Sequence, residues 1–352
     1  MVSREIIANI IKAGTAAPSG GNSQPWKFEV RGDEITVIAL PLKDHPVLNF
    51  RYRGTWVAHG ALIENIEIAA SHYGFNAETV VLPIKDGKNI IVRITLQKSE
   101  LTPSVLYDSI TRRVTNRKSF ALKSLTLDER SELLVAKGEL EVGVILREKS
   151  EDLVNLGKAL SINEAVMLEN QLLHSLFFKE IVWNEQEEKE KGGGLFIKTL
   201  ELKPPQRFML GLCRRWRVMN LLNKLGMARL IARDNAKIYS SASAMGIIVV
   251  PDTDDAFITA GRAMERIWLM ATHLGLSFHL ITGILFFSQK IKAGETQEFS
   301  SEHIQMIETA YKKVASIFEV KTGVIALLFR VGRGEEPSAR SLKPVPEISF
   351  MN

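Results

Sequence analysis

The chain has 352 residues, more than a single hydrophobic core usually serves, so two linked units are expected. Hydrophobic residues at 45% and charged residues at 24% exclude a disordered chain, and no uninterrupted apolar run reaches the length of a membrane span. A net charge of +5 is too small over this length to imply nucleic acid, though it favours anionic small molecules, and the lone Cys213 excludes an internal disulfide framework.

The opening Met-Val-Ser-Arg-Glu runs straight into an amphipathic helix over residues 5–13, with no basic leader or cleavage site, which points to the cytoplasm. Gly14, Pro18 and the Gly20-Gly21 pair end that helix, and a β-prone strand follows over 26–30. Between them Ser19, Asn22, Ser23 and Gln24 offer short donors and acceptors, while the two glycines let main-chain amides approach a flat or anionic partner. By local chemistry alone this loop reads equally as a ligand clamp or as an ordinary polar turn. A strand over 34–40 and a helix over 60–74 come next. That helix shares its register with residues 261–275: both terminal glycines match, as do Glu64 and Glu265, Ile66 and Ile267, Ala70 and Ala271, and His72 and His273, always 201 positions apart. Duplication is the economical explanation, with both helices central and buried. The two histidines fall in the last turns, where a cap on free carbonyls is expected.

After a strand over 89–96 and a short helix over 104–110 comes the strongest basic constellation, Arg112 to Phe120. Arg113, Thr115 and Arg117 alternate, so an extended segment aims two guanidinium forks and a hydroxyl to one side, as a terminal phosphate requires. Taken alone, such a basic run is more commonly a solvated linker. Strands over 142–146, 245–250 and 322–331 and helices over 127–136, 152–173 and 301–318 complete an alternation of mixed α and β layers; Thr126 and Glu129 form a capping box for the first of these helices. The charged, glycine-ended stretch 184–194 reads as exposed and mobile, and residues 165–234 lack a counterpart in the first half, which marks an insertion or cap. Within the cap, 207–233 is basic and amphipathic; a lid packed on the body is preferred to an anionic-membrane helix, since the chain carries no second membrane signal. A second basic group closes the chain at 338–344. Seven histidines never fall at zinc-ligand spacing, so no metal site is expected.

Taken in order, the Pro18–Trp26 loop, the Arg-x-Thr-x-Arg-x-x-Phe segment, the run Leu274-Gly-Leu-Ser-Phe-His-Leu-Ile-Thr-Gly283 and the closing basic-proline element resemble the FMN-binding nitroreductase family. In particular the chain is similar to its fused, two-repeat branch, known from mycobacterial Acg-type proteins. The resemblance implies an α+β, nitroreductase-like fold with two pseudo-symmetric halves, a three-layer α/β/α character and a helical cap: residues 1–104 and 105–352, the latter carrying the cap at 165–234. It implies that Arg113, Thr115 and Arg117 hold the FMN phosphate with Arg340 or Lys343, a choice it leaves open. Asn235, helped by Lys237, would meet the flavin's polar edge; Leu280, Thr282 and Gly283 would line the ring; Pro18, Ser19, Gly20 and Asn22 would cover it from the other half.

The implied activity is hydride transfer from NADH or NADPH through FMN to a nitro, quinone or other small acceptor, with no catalytic side chain. The alternative is a flavin-sequestering protein whose lid blocks turnover. Because the phosphate motif occurs only in the later half and the loop only in the earlier one, one FMN per chain is expected in an intrachain pseudo-dimer. Nucleic acid and stable membrane insertion are not expected, and whether the chain pairs again is left open. Two departures from the family stand out: the usual basic opening motif is missing, and Thr282 stands where many members carry glutamate.

Overall fold

The computed structural model describes residues 2–82, 90–100 and 102–352. Helix α1 (Arg4–Gly14) is capped by the Ser3 hydroxyl and buries Ile7, Ile10 and Ile11 at helical spacing. Strands β1 (Trp26–Arg31) and β2 (Glu34–Ala39) form a hairpin turned at Gly32, which takes the left-handed backbone with φ +59°. Helix α2 (Arg53–His72) and strands β3 (Phe75–Val81) and β4 (Ile90–Lys98) finish this part. Asn89, at which the sequence reading starts its strand, lies outside the described residues.

Helices α3 (Tyr107–Arg112) and α4 (Leu127–Val135) lead to strand β5 (Gly143–Arg147), and α4 carries the expected capping box. The single helix expected over 152–173 is three: α5 (Ser150–Leu160), α6 (Ile162–Glu169) and α7 (Gln171–Glu180). The last break has a local cause, because the Asn170 side chain accepts from Leu173 N and restarts the helix. Strands β6 (Ile181–Val182) and β7 (Leu195–Phe196) flank α8 (Glu185–Lys191). Helices α9 (Pro204–Cys213), α10 (Trp216–Asn223) and α11 (Met227–Ser240) follow. The remaining elements are β8 (Ala244–Val250), α12 (Ala256–His273), β9 (Ser277–Leu280), α13 (Gly283–Lys292), α14 (Ser301–Ile317), β10 (Val324–Gly332) and β11 (Ile348–Phe350).

The architecture is α+β, as the sequence implied. One sheet has the strand order β11-β1-β2-β4-β3 and the other β5-β8-β10-β9. Equating β1, β2, α2, β3 and β4 with β5, β8, α12, β9 and β10 converts the first order into the second. Within these two sheets every pairing is antiparallel except β11 on β1, so the chain's last strand edges its first sheet. Burial alternates along β1 and β2, whereas every residue of β10 is buried. The first sheet therefore packs one face inward, while the second is covered on both, by α12 on one side and by α5, α13 and α14 on the other.

Helices α2 and α12 cross at the seam, and their contact is reciprocal. A Cβ on Gly60 would lie 2.0 Å from the Ile258 carbonyl oxygen, and one on Gly261 would lie 2.0 Å from that of Val57. Because Val57 and Ile258 are themselves 201 positions apart, each helix presents the same patch to the other, the signature of a two-fold contact. The cap has a small core of its own, in which Leu168, Phe178, Ile181, Phe196, Cys213 and Met219 are buried together.

Candidate functional site

Helix α3 ends at Arg112, and the chain leaves it extended, which turns the Arg113 side chain inward against α12. There Nε lies 3.1 Å from Glu265 Oε1, the guanidinium sits 4.5 Å from the Trp268 ring centre, and Nη2 donates to the Ala16 carbonyl at 2.5 Å. Burial pushes the Glu265 carboxyl up and the Arg113 guanidinium down, and each is the other's counter-charge. Thr115 bridges to Phe278, and Asn116 N donates to the Phe278 carbonyl at 2.9 Å, so the segment lies alongside β9. Arg117 points toward the cap, donating to the Thr199 carbonyl at 3.2 Å.

The loop after α1 is held in an unusual shape. Gly21, Asn22 and Gln24 have φ of 52°, 56° and 51°, a left-handed conformation that asparagine tolerates and glutamine adopts only under constraint. The constraint is visible: Ser19 Oγ accepts from Gln24 N at 3.1 Å, and the Asn22 amide donates to the Leu342 carbonyl at 2.8 Å. Pro18 is half-buried and Gly20 exposed at its rim.

The arm 333–347 joins all these parts. Asn116 Nδ2 and Lys118 Nζ donate to the carbonyls of Glu335 and Glu336, at 2.8 and 2.7 Å. The Ser338 amide and hydroxyl donate to Glu201 of the cap. Arg340 caps α3, donating to the Thr111 and Arg112 carbonyls at 2.8 Å each. Lys343 instead reaches the loop, donating to the Ala17 carbonyl at 2.8 Å and to Asn22 Oδ1 at 2.9 Å. Packed protein atoms and the neighbouring Arg113 push its ammonium down to about 7, although part of the side chain still meets solvent.

At the other end, Leu280 closes β9, and Thr282 and Gly283 start α13. A Cβ at Gly283 would lie 2.2 Å from Asn163 Oδ1 on α6, so any side chain there must displace that of Asn163. Asn163 Oδ1 and Glu164 Oε2 are buried without a protein partner, and burial raises the Glu164 carboxyl to about 7. Tyr239 donates to Glu164 Oε1 at 2.5 Å, with its ring 5.9 Å from that of His279. Arg330, buried on β10, donates to His279 Nδ1 at 3.1 Å and to the carbonyls of Ile238 and Lys118. A guanidinium only donates, so Nδ1 must accept and His279 is neutral there, in keeping with the downward push of burial on its ring.

The cap closes over the loop. The stretch 184–194 is exposed at 184–186 and 189–191, as expected, but it forms helix α8 with Asn184 as its cap; Glu188 is buried and accepts from Leu342 N at 2.9 Å, and Gly194 N donates to the Gly21 carbonyl at 2.8 Å. Glu180 faces the same loop, since a Cβ on Gly21 would lie 3.2 Å from its Oε2. Burial, with Asp44 adding to it, raises the Glu180 carboxyl to about 7.

The structure thus brings Arg113, Arg340 and Lys343 together with the Pro18–Asn22 loop, with Thr115 and Arg117 on the same segment. Asn235 and Lys237 stand apart. Among the described residues no hydrogen bond or ion pair links them to the rest of the set, and Lys237 pairs with Asp234 on the outer side of α11. Tyr239, at the end of α11, is buried, as are Ala228 and Ala232. Asn163, Glu164, Tyr239 and Glu265 were not anticipated as site residues; the only signal among them was Glu265, matched to Glu64 by the repeat.

No protein-family profile matches the chain. An uncharacterized protein of Mycobacterium tuberculosis is 21% identical over 348 residues, 97% of this chain and 47% of its own length. The chain therefore spans about half the length of the curated relative it matches. Among solved structures, a putative nitroreductase from Anabaena variabilis is 11% identical with a TM-score of 0.43, covering 86% of this chain and 69% of its own. A nitroreductase with bound FMN from Bacteroides fragilis is 10% identical with a TM-score of 0.37, covering 68% and 94% respectively. An FMN-dependent nitroreductase from Mycobacterium smegmatis, in complex with NADPH, is 12% identical with a TM-score of 0.36, covering 64% and 86%.

Proposed function

We propose that the chain is an FMN-binding oxidoreductase of the nitroreductase type, with one flavin per chain held between its two halves. The observation that carries this reading is the meeting of Arg113 and Lys343 with consecutive carbonyls of the loop, Ala16 and Ala17, with Arg340 beside them. Arg113 and Lys343 both act on the buried Glu265 carboxylate, and Arg340 adds its charge beside Arg113, a cluster that suits a further anion. The buried acceptors Asn163 Oδ1 and Glu164 Oε2, each without a protein partner among the described residues, suit a polar ring edge. These two features fit FMN at its two ends.

In this reading Lys343, rather than Arg340, is the arm's phosphate contact, because Arg340 is engaged with the end of α3. Arg113, Thr115 and Arg117 supply the remaining phosphate donors, and the Pro18–Asn22 loop covers the ring. Leu280, Thr282 and Gly283 lie under it, and Glu164 with Tyr239 takes the polar-edge role expected of Asn235 and Lys237. When bound, FMN supplies hydride acceptance from NADH or NADPH and electron delivery to a nitro, quinone or other small acceptor. The chain's own residues bind, orient and shield. Arg330, fixed by carbonyls and His279, keeps positive charge near the 116–118 turn, where it would favour an anionic reduced cofactor.

The matching sheet orders and the reciprocal α2–α12 contact support an internal duplication, with residues 1–104 and 105–352 as the halves. The test is direct. Protein incubated with FMN and freed of excess should stay yellow, and anaerobic mixing with NADH or NADPH should bleach it. Colourless protein would end the flavin assignment, and yellow protein inert to both donors would end the oxidoreductase one.

A further inference from the structure

Helices α9 to α11 carry a surface that the flavin reading leaves unused. From residue 202 to 233 the sequence has no aspartate or glutamate and eight lysines and arginines. Among the described residues only Arg229 of these eight is in an ion pair, with Glu169 and Glu302. The same helices have two apolar faces. Cys213, Met219 and Ala228 turn inward and build the core of the cap. Phe208, Leu212, Leu221, Leu225 and Leu230 turn outward, with exposures of 69, 44, 62, 83 and 51%. Packing of a lid explains the first face and not the second. Phe208 and Leu212 are one turn apart on α9, Leu221 lies on α10 and Leu225 just beyond it, and α10 packs against both α9 and α11, so the outward side chains belong to a layer of adjoining helices.

We infer that this layer docks on an anionic lipid surface, its cations meeting headgroups and its leucines and Phe208 entering the headgroup–acyl boundary. Charge and apolarity together choose this occupant. A second copy of the chain would set like charges against each other. A nucleic acid would use the cations but offers nothing to Leu212, Leu221 and Leu225. The attachment is peripheral, since no helix among the described residues is long and apolar enough to cross a membrane. It stands independently of whether flavin binds.

The full chain is sedimented with vesicles of phosphatidylcholine alone or mixed with phosphatidylglycerol, at low and high salt. Partitioning at least about tenfold stronger onto the anionic vesicles, and weakened by salt, is the expected result. The variant Phe208→Ser/Leu221→Ser/Leu225→Ser should lose at least about tenfold in partitioning, with a little-changed circular dichroism spectrum and Tm, because those side chains are mostly exposed. Arg207→Glu/Lys224→Glu should lose a similar factor, at about fivefold per basic side chain or more. Leu122→Ser/Leu127→Ser, two equally exposed leucines elsewhere, should behave as wild type. Wild-type protein that ignores anionic vesicles, or serine and glutamate variants that bind them unchanged, would overturn the inference. So would retention on DNA with no vesicle binding, which would reassign the cations to nucleic acid.

Discussion

Arg113 and Glu265 form the buried ion pair on which the site is built, and removing one partner strands the other. Arg113→Met should destabilise the chain by about 3–5 kcal/mol in urea denaturation, and Arg113→Met/Glu265→Gln should recover a large part of that loss. An Arg113 substitution is consequently a poor probe of ligand affinity, and Arg117 and Lys343 are the better ones. Lys343 adds a pH signature. Its ammonium titrates near 7, an anion binds only the protonated form, and so FMN affinity should fall as pH rises from 7 to 9. Fluorescence titration of Lys343→Met should show weaker binding with no such slope. Of these residues, Arg113, Thr115 and Arg117 drew attention in the sequence because their alternation is local, and the structure turns Arg113 to Glu265 and Arg117 to the cap. The partner Glu265 lies on another element, where only the repeat drew attention to it. Arg340 and Lys343 were indistinguishable as basic residues, and the three-dimensional course of the arm separates them.

Among the elements, the long helices and most strands were legible, since each carries its own periodicity, caps or β-branched run. What composition alone left out was packing. The charge of residues 184–194 marks a stretch that is largely exposed, and it does not reveal that Asn184 caps a helix there or that Glu188 is buried against the arm. Short strands such as β9 and β11 have too few residues to show a period, and they are defined by their neighbours. The seam between α2 and α12 yields a sharp prediction. Gly60→Ala and Gly261→Ala each drive a methyl into backbone, which no rotamer relieves, so either should unfold the chain or lower its Tm severely; Gly211→Ala, with open space around it, should be neutral or mildly stabilising. Glu180 of the cap faces the loop. Its carboxyl titrates near 7 in the folded chain against an ordinary 4.5, so the folded state holds the extra proton between those values and stability falls as pH rises through them. Glu180→Gln should raise the Tm at pH 8 by about 2 °C or more and leave it nearly unchanged below pH 5, as a thermal melt series would show.

Across the whole molecule, the proposed site draws on segments far apart in the chain. One supplies the strained loop, another the arginine segment, and the last residues run between them before completing the first sheet. That threading was not legible: the sequence showed a basic group at the end of the chain and not where the end goes. The arm contacts residues 17, 22, 111, 112, 188 and 201, so the proposed site would need the intact chain. Titration of the flavin-free protein with FMN, followed by fluorescence quenching, measures stoichiometry and affinity together. One flavin per chain should bind, and Arg117→Ala/Lys343→Met should weaken it by about a hundredfold or more through the loss of two charge-assisted contacts. Uptake of two flavins or none, or an affinity untouched in the double variant, would contradict a flavin site built from both halves.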